Sequence, residues 1–317
     1  MSAPMMNSWF DHDLWNHLFL QLSTAEPSVC HAVIAVGALH EETQGSCDTI
    51  PSQGVPLNIP RRFALEQYGR AIAALNSRMG SNDFELKNTA LHLDDQAVYF
   101  GKSNPRGFLK APSINVDHQN PIALDTLAAA FRVRNCFLST LSEFLAFCES
   151  LSSDNIARQW SILVVWQQHM RALLAELQSA LDRLEAKIRH GNDDEERGLL
   201  KQKHKYAFKI LRLHCGLFSL QTDLCLLWKR ERVEDEVYTL RFHDIVDQCE
   251  AIAKTEYYHQ QPSHLMEIGV IQPLYYVCER CADQRIVQRA MDALENWSHR
   301  EGLWSSRLAI HMVESGN

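Results

Sequence analysis

Between Ile156 and Ile188 apolar side chains recur every seven residues in two interleaved series. One holds Ile156, Leu163, Met170, Leu177 and Leu184; the other holds Trp160, Leu174, Leu181 and Ile188, with Gln167 as its single break. A second stripe follows the polar stretch 190–198, with Tyr206, Leu213, Leu220 and Leu227 alternating with Ile210, Leu217 and Leu224. A spacing of threes and fours lines up on one side of an α-helix, whereas on a strand it would scatter over both faces. Gly191 and Gly198 in the short linker imply that the chain turns back, so the stripes face each other as an antiparallel hairpin. Such a stripe serves either as the chain's own core or as a dimer seam.

The same period runs through most of the remaining sequence. It predicts helices over Trp9–Leu22, from Pro27 to about Glu42, and over Arg62–Met79 with Ala64, Tyr68, Ala71, Ile72, Leu75 and Met79 facing inward. Pro27 suits a first helical turn, where its fixed φ is helical and its missing N–H is not needed. Further helices are expected over Ile122–Phe147, Asp235–Lys254, Leu265–Cys281, Gln284–Trp297 and Leu303–Val313. Residues 43–60 and 94–121 are punctuated by Gly and Pro and read as weakly ordered loops. The expectation is an all-α fold of stacked antiparallel helical hairpins with a long central helix pair, forming a single domain over residues 1–317.

Composition narrows the setting. With 46 % apolar and 22 % charged residues the chain has the balance of a globular protein rather than a disordered one. A net charge of −8 argues against a nucleic-acid surface spread over the whole molecule. Nine cysteines without regular spacing fit reduced thiols in the cytoplasm or nucleus. The N-terminal residues lack the basic and apolar regions of a secretory signal. No apolar run approaches the roughly 18 residues of a membrane span.

A search for chemistry returns weak candidates. Cys278 and Cys281 form the one C-x-x-C, but zinc needs four ligands, and Cys249 and His264 lack ligand-like spacing to complete them. His12 and His17, five apart, point in different directions on a helix; His31 and His40 share a helix without being neighbours on it. The acids Asp94, Asp95, Asp193, Asp194, Glu195 and Glu196 stand side by side, so they diverge and repel instead of forming a positioned acid–base pair. The best cationic patch is Lys201, Lys203, Lys205 and Lys209 with Arg183, Lys187 and Arg189 across the hairpin, which reads as a solvated helix face. No Gly-rich phosphate loop or nucleophile elbow occurs. We therefore assign no catalytic residue, cofactor or metal ligand, and expect a non-enzyme.

Three blocks carry a resemblance. Residues 15–42 (WNHLFLQLSTAEPSVCHAVIAVGALHEE), residues 63–79 (FALEQYGRAIAALNSRM) and Met266–Ile310, with Gly269–Tyr275 (GVIQPLY) and Arg300–Trp304 (REGLW), resemble the regulatory region of fungal binuclear zinc-cluster transcription regulators. That family normally carries a six-cysteine zinc cluster that reads DNA; here Cys30 is the first cysteine and no six-cysteine series exists. The resemblance implies a nuclear regulator of transcription, with a fungal secondary-metabolite gene cluster as its target. It would act by dimerising with itself or with a full-length zinc-cluster regulator, without direct DNA contact, and would respond to a small-molecule effector. Two alternatives stand beside it: a helical adaptor unrelated to transcription, and a helical small-molecule-binding protein or unlisted helical enzyme with a pocket lined by Trp160, Trp166 or Trp228.

Overall fold

Ten helices and three two-residue strands form the regular structure of the described residues, so the chain is all-α, as its periodicity predicts. The structure is a computed structural model that describes residues 19–45, 59–78, 122–190, 198–227, 232–254, 264–265, 268–297, 300–301 and 304–316. The chain divides into two compact units, one within residues 11–90 and one within 91–317.

The first unit contains α1 (Phe19–Ala25), α2 (Pro27–Gly45) and α3 (Ile59–Arg78). Pro27 opens α2 as expected, and the Cys30 N–H donates to Glu26 O at 2.9 Å. Helices α2 and α3 pack through small residues, with Ala35, Ala64 and Ala71 buried. Gln67 is buried with them because its Oε1 accepts from His31 Nδ1 at 2.7 Å. That pair sets the phase of α3. Tyr68 and Ile72, expected inside, are 36 % and 41 % exposed, and the inward face is Ala64, Gln67 and Ala71. Most of the helix expected over Trp9–Leu22, with His12 and His17, lies outside the described residues, as do 46–58 and 94–121.

The second unit is built around one helix. It comprises α4 (Leu127–Ser150), α5 (Ser153–His190), α6 (Gly198–Leu224), α7 (Glu236–Ala253), α8 (Ile271–Arg280), α9 (Gln284–Asn296) and α10 (Ser306–Gly316). Between Tyr206 and Leu224 most side chains of α6 are buried, because α4, α5, α7 and α8 all pack against it. A helix that is apolar on most sides belongs in a core. Leu163, Met170, Leu177 and Leu184 on α5 are all at most 1 % exposed, so its stripe is interior packing of this chain and not a dimer seam. Trp160 and Leu227, assigned to the stripes by spacing, fall at their ends and are each 49 % exposed.

Polar side chains fix the register of this bundle. Arg171 Nε donates to Asp223 Oδ1 at 2.6 Å, and Arg212 reaches Asp182 and Glu185, each at 2.6 Å. Sequence number falls along α6 as it rises along α5, so the two run antiparallel. The break at Gln167 also has a physical reason. The last carbonyls of a helix lack intrahelical donors. Gln167 Nε2, buried on α5, donates to Thr222 O at 2.8 Å, in the final turn of α6. Asp223 further accepts from Arg241 Nη1 of α7 at 2.5 Å, tying three helices at one point. Side-chain caps start α4, α7 and α9: Thr126, Asp235 and Asp283 each accept from an amide of the first turn.

Helix ends account for the other differences from expectation. The segment expected as helix from Leu265 opens with a strand, β1 (His264–Leu265), and helix begins only at Ile271. Helix α10 starts at Ser306 rather than Leu303, because β2 (Arg300–Glu301) and β3 (Trp304–Ser305) precede it. β2 pairs parallel to β1 and antiparallel to β3, with Glu301 opposite both Leu265 and Trp304. Helix α4 starts at Leu127, five residues later than expected, and runs on to Ser150. No helix among the described residues is long and apolar enough to cross a membrane.

Gln167→Leu would complete the apolar heptad, yet we expect it to destabilise the fold. The substitution removes the Gln167 donor and leaves the buried Thr222 carbonyl only the weak Cys225 thiol at 3.0 Å, a loss that costs about 1–3 kcal/mol. A lower denaturation midpoint at unchanged m-value checks this; an unchanged or higher midpoint contradicts it.

Candidate functional site

The most unusual group in the second unit is a line of buried polar side chains that connects α4, α6, the turn before α8 and the small sheet. It starts at Arg134, in phase with the apolar stripe of α4 (Ala130, Phe137, Leu138, Leu141) and 0 % exposed. Its guanidinium lies 5.4 Å from the Phe131 ring centroid and 5.7 Å from that of Phe218, within cation–π range. Nη1 donates to Asn135 Oδ1 at 2.6 Å, while Nε and Nη2 point at His214 Nδ1 at 3.1 and 2.7 Å.

A guanidinium can only donate, so His214 Nδ1 must accept, which places the ring proton on Nε2. That nitrogen donates to Gly269 O at 2.8 Å. His214 is 1 % exposed, and its pKa is held well below the usual 6.5. Burial is the largest cause, the Arg134 charge adds to it, and the Gly269 hydrogen bond opposes both. The imidazole is therefore neutral in the folded protein.

Beyond Gly269 the line ends in a carboxylate. Glu301 is 0 % exposed; its Oε2 accepts from Gly269 N at 2.8 Å and Ile271 N at 3.0 Å, and its Oε1 from Val270 N at 2.8 Å. The N-cap of α8, Val270, has no side-chain acceptor of its own. Glu301 supplies one from the sheet instead, at the end of the helix where the backbone dipole favours a negative charge. Pro273 contributes no N–H in the first turn, and Leu274 N closes the first helical bond to Val270 O at 3.2 Å. Trp304, opposite Glu301 in the sheet and also 0 % exposed, packs on Tyr275 with ring centroids 5.1 Å apart. The motifs Gly269–Tyr275 and Arg300–Trp304 are thus two halves of one joint.

Buried under apolar side chains, these groups order the chain; no reacting atom among them faces solvent. Sequence reading assigned no role to Arg134, His214 or Glu301. A signal existed: a cation and an imidazole each stood in phase with an apolar stripe.

The sequence candidates lie elsewhere. Cys278 and Cys281 are both buried, and burial pushes the Cys278 thiol up to about 12 and raises that of Cys281. Cys249 is also buried, with its pKa raised first by burial and then by the nearby Glu301. Among the described residues none of the three belongs to a group of ligand atoms close enough to share a metal ion. Such a group does occur at His243, Asp244 and Asp247. The Arg289 guanidinium contacts two of these three, 2.7 Å from Asp247 and 3.0 Å from His243 Nε2, and also lies 2.9 Å from Glu250. Beside it, a groove of about 270 Å³ between α7 and α9 is lined by Glu250, Lys254, Arg289, Asp292, Asn296 and Trp297 among others. Of the tryptophans expected to line a pocket, Trp160 is half-exposed and Trp166 stacks on Phe144, neither of them lining this groove; Trp228 lies outside the described residues.

In the cationic patch, Arg183 pairs with Glu176, Lys187 with Asp125 and Arg189 with Glu185. Lys209 sits 6.0 Å from the Tyr206 ring centroid. The acidic residues Asp94, Asp95 and Asp193–Glu196 lie outside the described residues. Compared with known proteins, the chain matches no family model, no curated protein and no solved structure.

The neutral buried imidazole gives stability a pH dependence. Because the folded-state pKa of His214 is lowered, the unfolded chain takes up the proton more readily. Its contribution is complete above the unfolded value of 6.5 and is lost as pH falls through the folded one. Below about pH 6.5 we expect wild type to lose stability relative to His214→Gln by up to about 1.4 kcal/mol per pH unit. Urea titrations of both proteins from pH 8 to about pH 5 measure the difference; a flat difference contradicts a neutral His214.

Proposed function

We propose that this chain is the helical regulatory scaffold of a zinc-cluster-type transcription regulator and works through protein partners rather than by catalysis. One observation supports the reading above others. The motifs that carry the resemblance, GVIQPLY and REGLW, lie far apart in sequence but meet in one joint, through the Glu301 carboxylate on the amides of Gly269, Val270 and Ile271 and through Trp304 on Tyr275. Amphipathic helices arise in any helical protein. Two short irregular motifs that need each other in space are a more specific sign of a shared fold.

On this reading the polar line holds the last three helices against α6 and α7, giving a firm frame on which partners assemble. The partners are a full-length zinc-cluster regulator or a second copy of the chain, the site of action is the nucleus, and the target is a secondary-metabolite gene cluster. A small-molecule effector would modulate the assembly.

Tagging the protein in its native host tests this. Nuclear fluorescence, recovery of a zinc-cluster regulator after mild cross-linking, and altered gene-cluster transcripts on deletion are the expected results. A cytoplasmic signal with no such partner and unchanged transcripts contradicts the proposal.

A further inference from the structure

Two buried alanines, Ala253 of α7 and Ala293 of α9, line the groove of about 270 Å³ beside Arg289, together with charged side chains from both helices. The two cations of that lining are already engaged. Arg289 donates through Nε to Glu250 and through Nη2 to Asp247 and Glu250. Lys254 Nζ lies 3.2 Å from the other Glu250 oxygen. Asp292, on the α9 side, differs. Its carboxylate accepts from Gln288 Nε2 at 2.8 Å, and among the described residues it pairs with no cation. Asp247, Glu250 and Asp292 thus set three carboxylates against two cations, and Asp292 is the one left over.

The end of α9 adds to this imbalance. A helix C-terminus carries partial negative charge and favours a cation. Helix α9 ends at Asn296 with no basic residue in its last turn, while Glu295 lies within that turn and Asp292 just before it. Trp297, the C-cap residue of α9, also lines the groove. Indole is the side chain that attracts cations most strongly through its ring. A carboxylate without a counter-ion, the negative end of a helix and an indole, set beside buried apolar side chains, suit an organic cation.

We propose that this groove is a binding site for a small organic ammonium ion, its charged head meeting Asp292 and Trp297 and its apolar body lying along Ala253 and Ala293. A water molecule's share of liquid volume is about 30 Å³, so a space of this size takes roughly ten non-hydrogen atoms, as in an arylalkylamine such as phenethylamine. The site gives a chemical class to the small-molecule effector of the proposed regulator and rests on that reading for its biological role alone. Binding by the purified protein succeeds or fails whatever the chain does in the nucleus.

The test titrates the purified full chain with phenethylammonium chloride and follows the ligand's NMR signals. Saturable binding is expected, with a dissociation constant of about 1 mM for a ligand of this size. Phenethyl alcohol, neutral and nearly the same shape, is expected to bind at least about tenfold more weakly, and so is the ammonium ion to Asp292→Asn. Glu295→Gln removes a neighbouring charge that does not line the groove and is expected to change the affinity by less than about twofold. Asp292 and Glu295 are both exposed, so neither change removes core packing. No saturation by about 20 mM, equal binding of the alcohol, or equal affinity in wild type and Asp292→Asn would each overturn the proposal. So would N-acetylarginine amide binding at least about tenfold tighter than phenethylammonium, which would make the groove a seat for a partner protein's side chain.

Discussion

A carboxylate removed from water and held by three backbone amides is the interaction on which the rest of the larger unit depends. Desolvating a carboxyl group is costly unless its oxygens are fully engaged. Glu301 meets that condition at the N-terminus of α8, where orphan amides need an acceptor and the dipole favours an anion. The helix start and the small sheet therefore form together or not at all. A strand of two residues has little stability by itself. β2 is kept in place because its second residue caps a helix, and that helix begins at Ile271 because the cap is there.

From this joint the ordering passes inward through one peptide. Gly269 offers its N–H to Glu301 and its carbonyl to His214, whose other nitrogen accepts from Arg134. Each member fixes the next: the guanidinium selects the imidazole tautomer, and the tautomer selects the carbonyl. Hydrogen bonds in a low-dielectric interior reinforce one another, and a gap in such a chain is costly. At the C-terminal end of α6, Gln167 donates to the Thr222 carbonyl and the Asp223 carboxylate accepts from Arg171 and Arg241, which joins α5 and α7 to α6 on a smaller scale.

Regular helices were legible in the sequence, and what lies between them was not. The stripes of α5 and α6, the start of α2 at Pro27 and the extent of α7 and α9 follow from period and caps, which depend on nearby residues. The break at Gln167 was visible but had no explanation until the last turn of α6 lay opposite it. On α3, Ala64 and Ala71 face inward as their spacing predicts, but Tyr68 and Ile72 do not, because Gln67 holds an inward site through His31, a contact 36 residues away that no local pattern encodes. The onset of α8 failed for the same reason, since its cap is supplied from residue 301. Arg134 and His214 were detectable in principle as polar residues in phase with apolar stripes. Their pairing is a tertiary fact, and only the fold brings them together.

This joint also underlies the function we propose, because it unites the two motifs on which that proposal rests. The central physical claim is that the turn at 269–271 opens only when the whole unit unfolds. Native-state hydrogen exchange on the amides of Gly269, Val270 and Ile271 tests it most directly. We expect these three to exchange as slowly as the core amides of α6 and with the same dependence on denaturant, as groups exposed only by global unfolding must. Fast exchange through local opening, insensitive to denaturant while α6 stays protected, would contradict the claim.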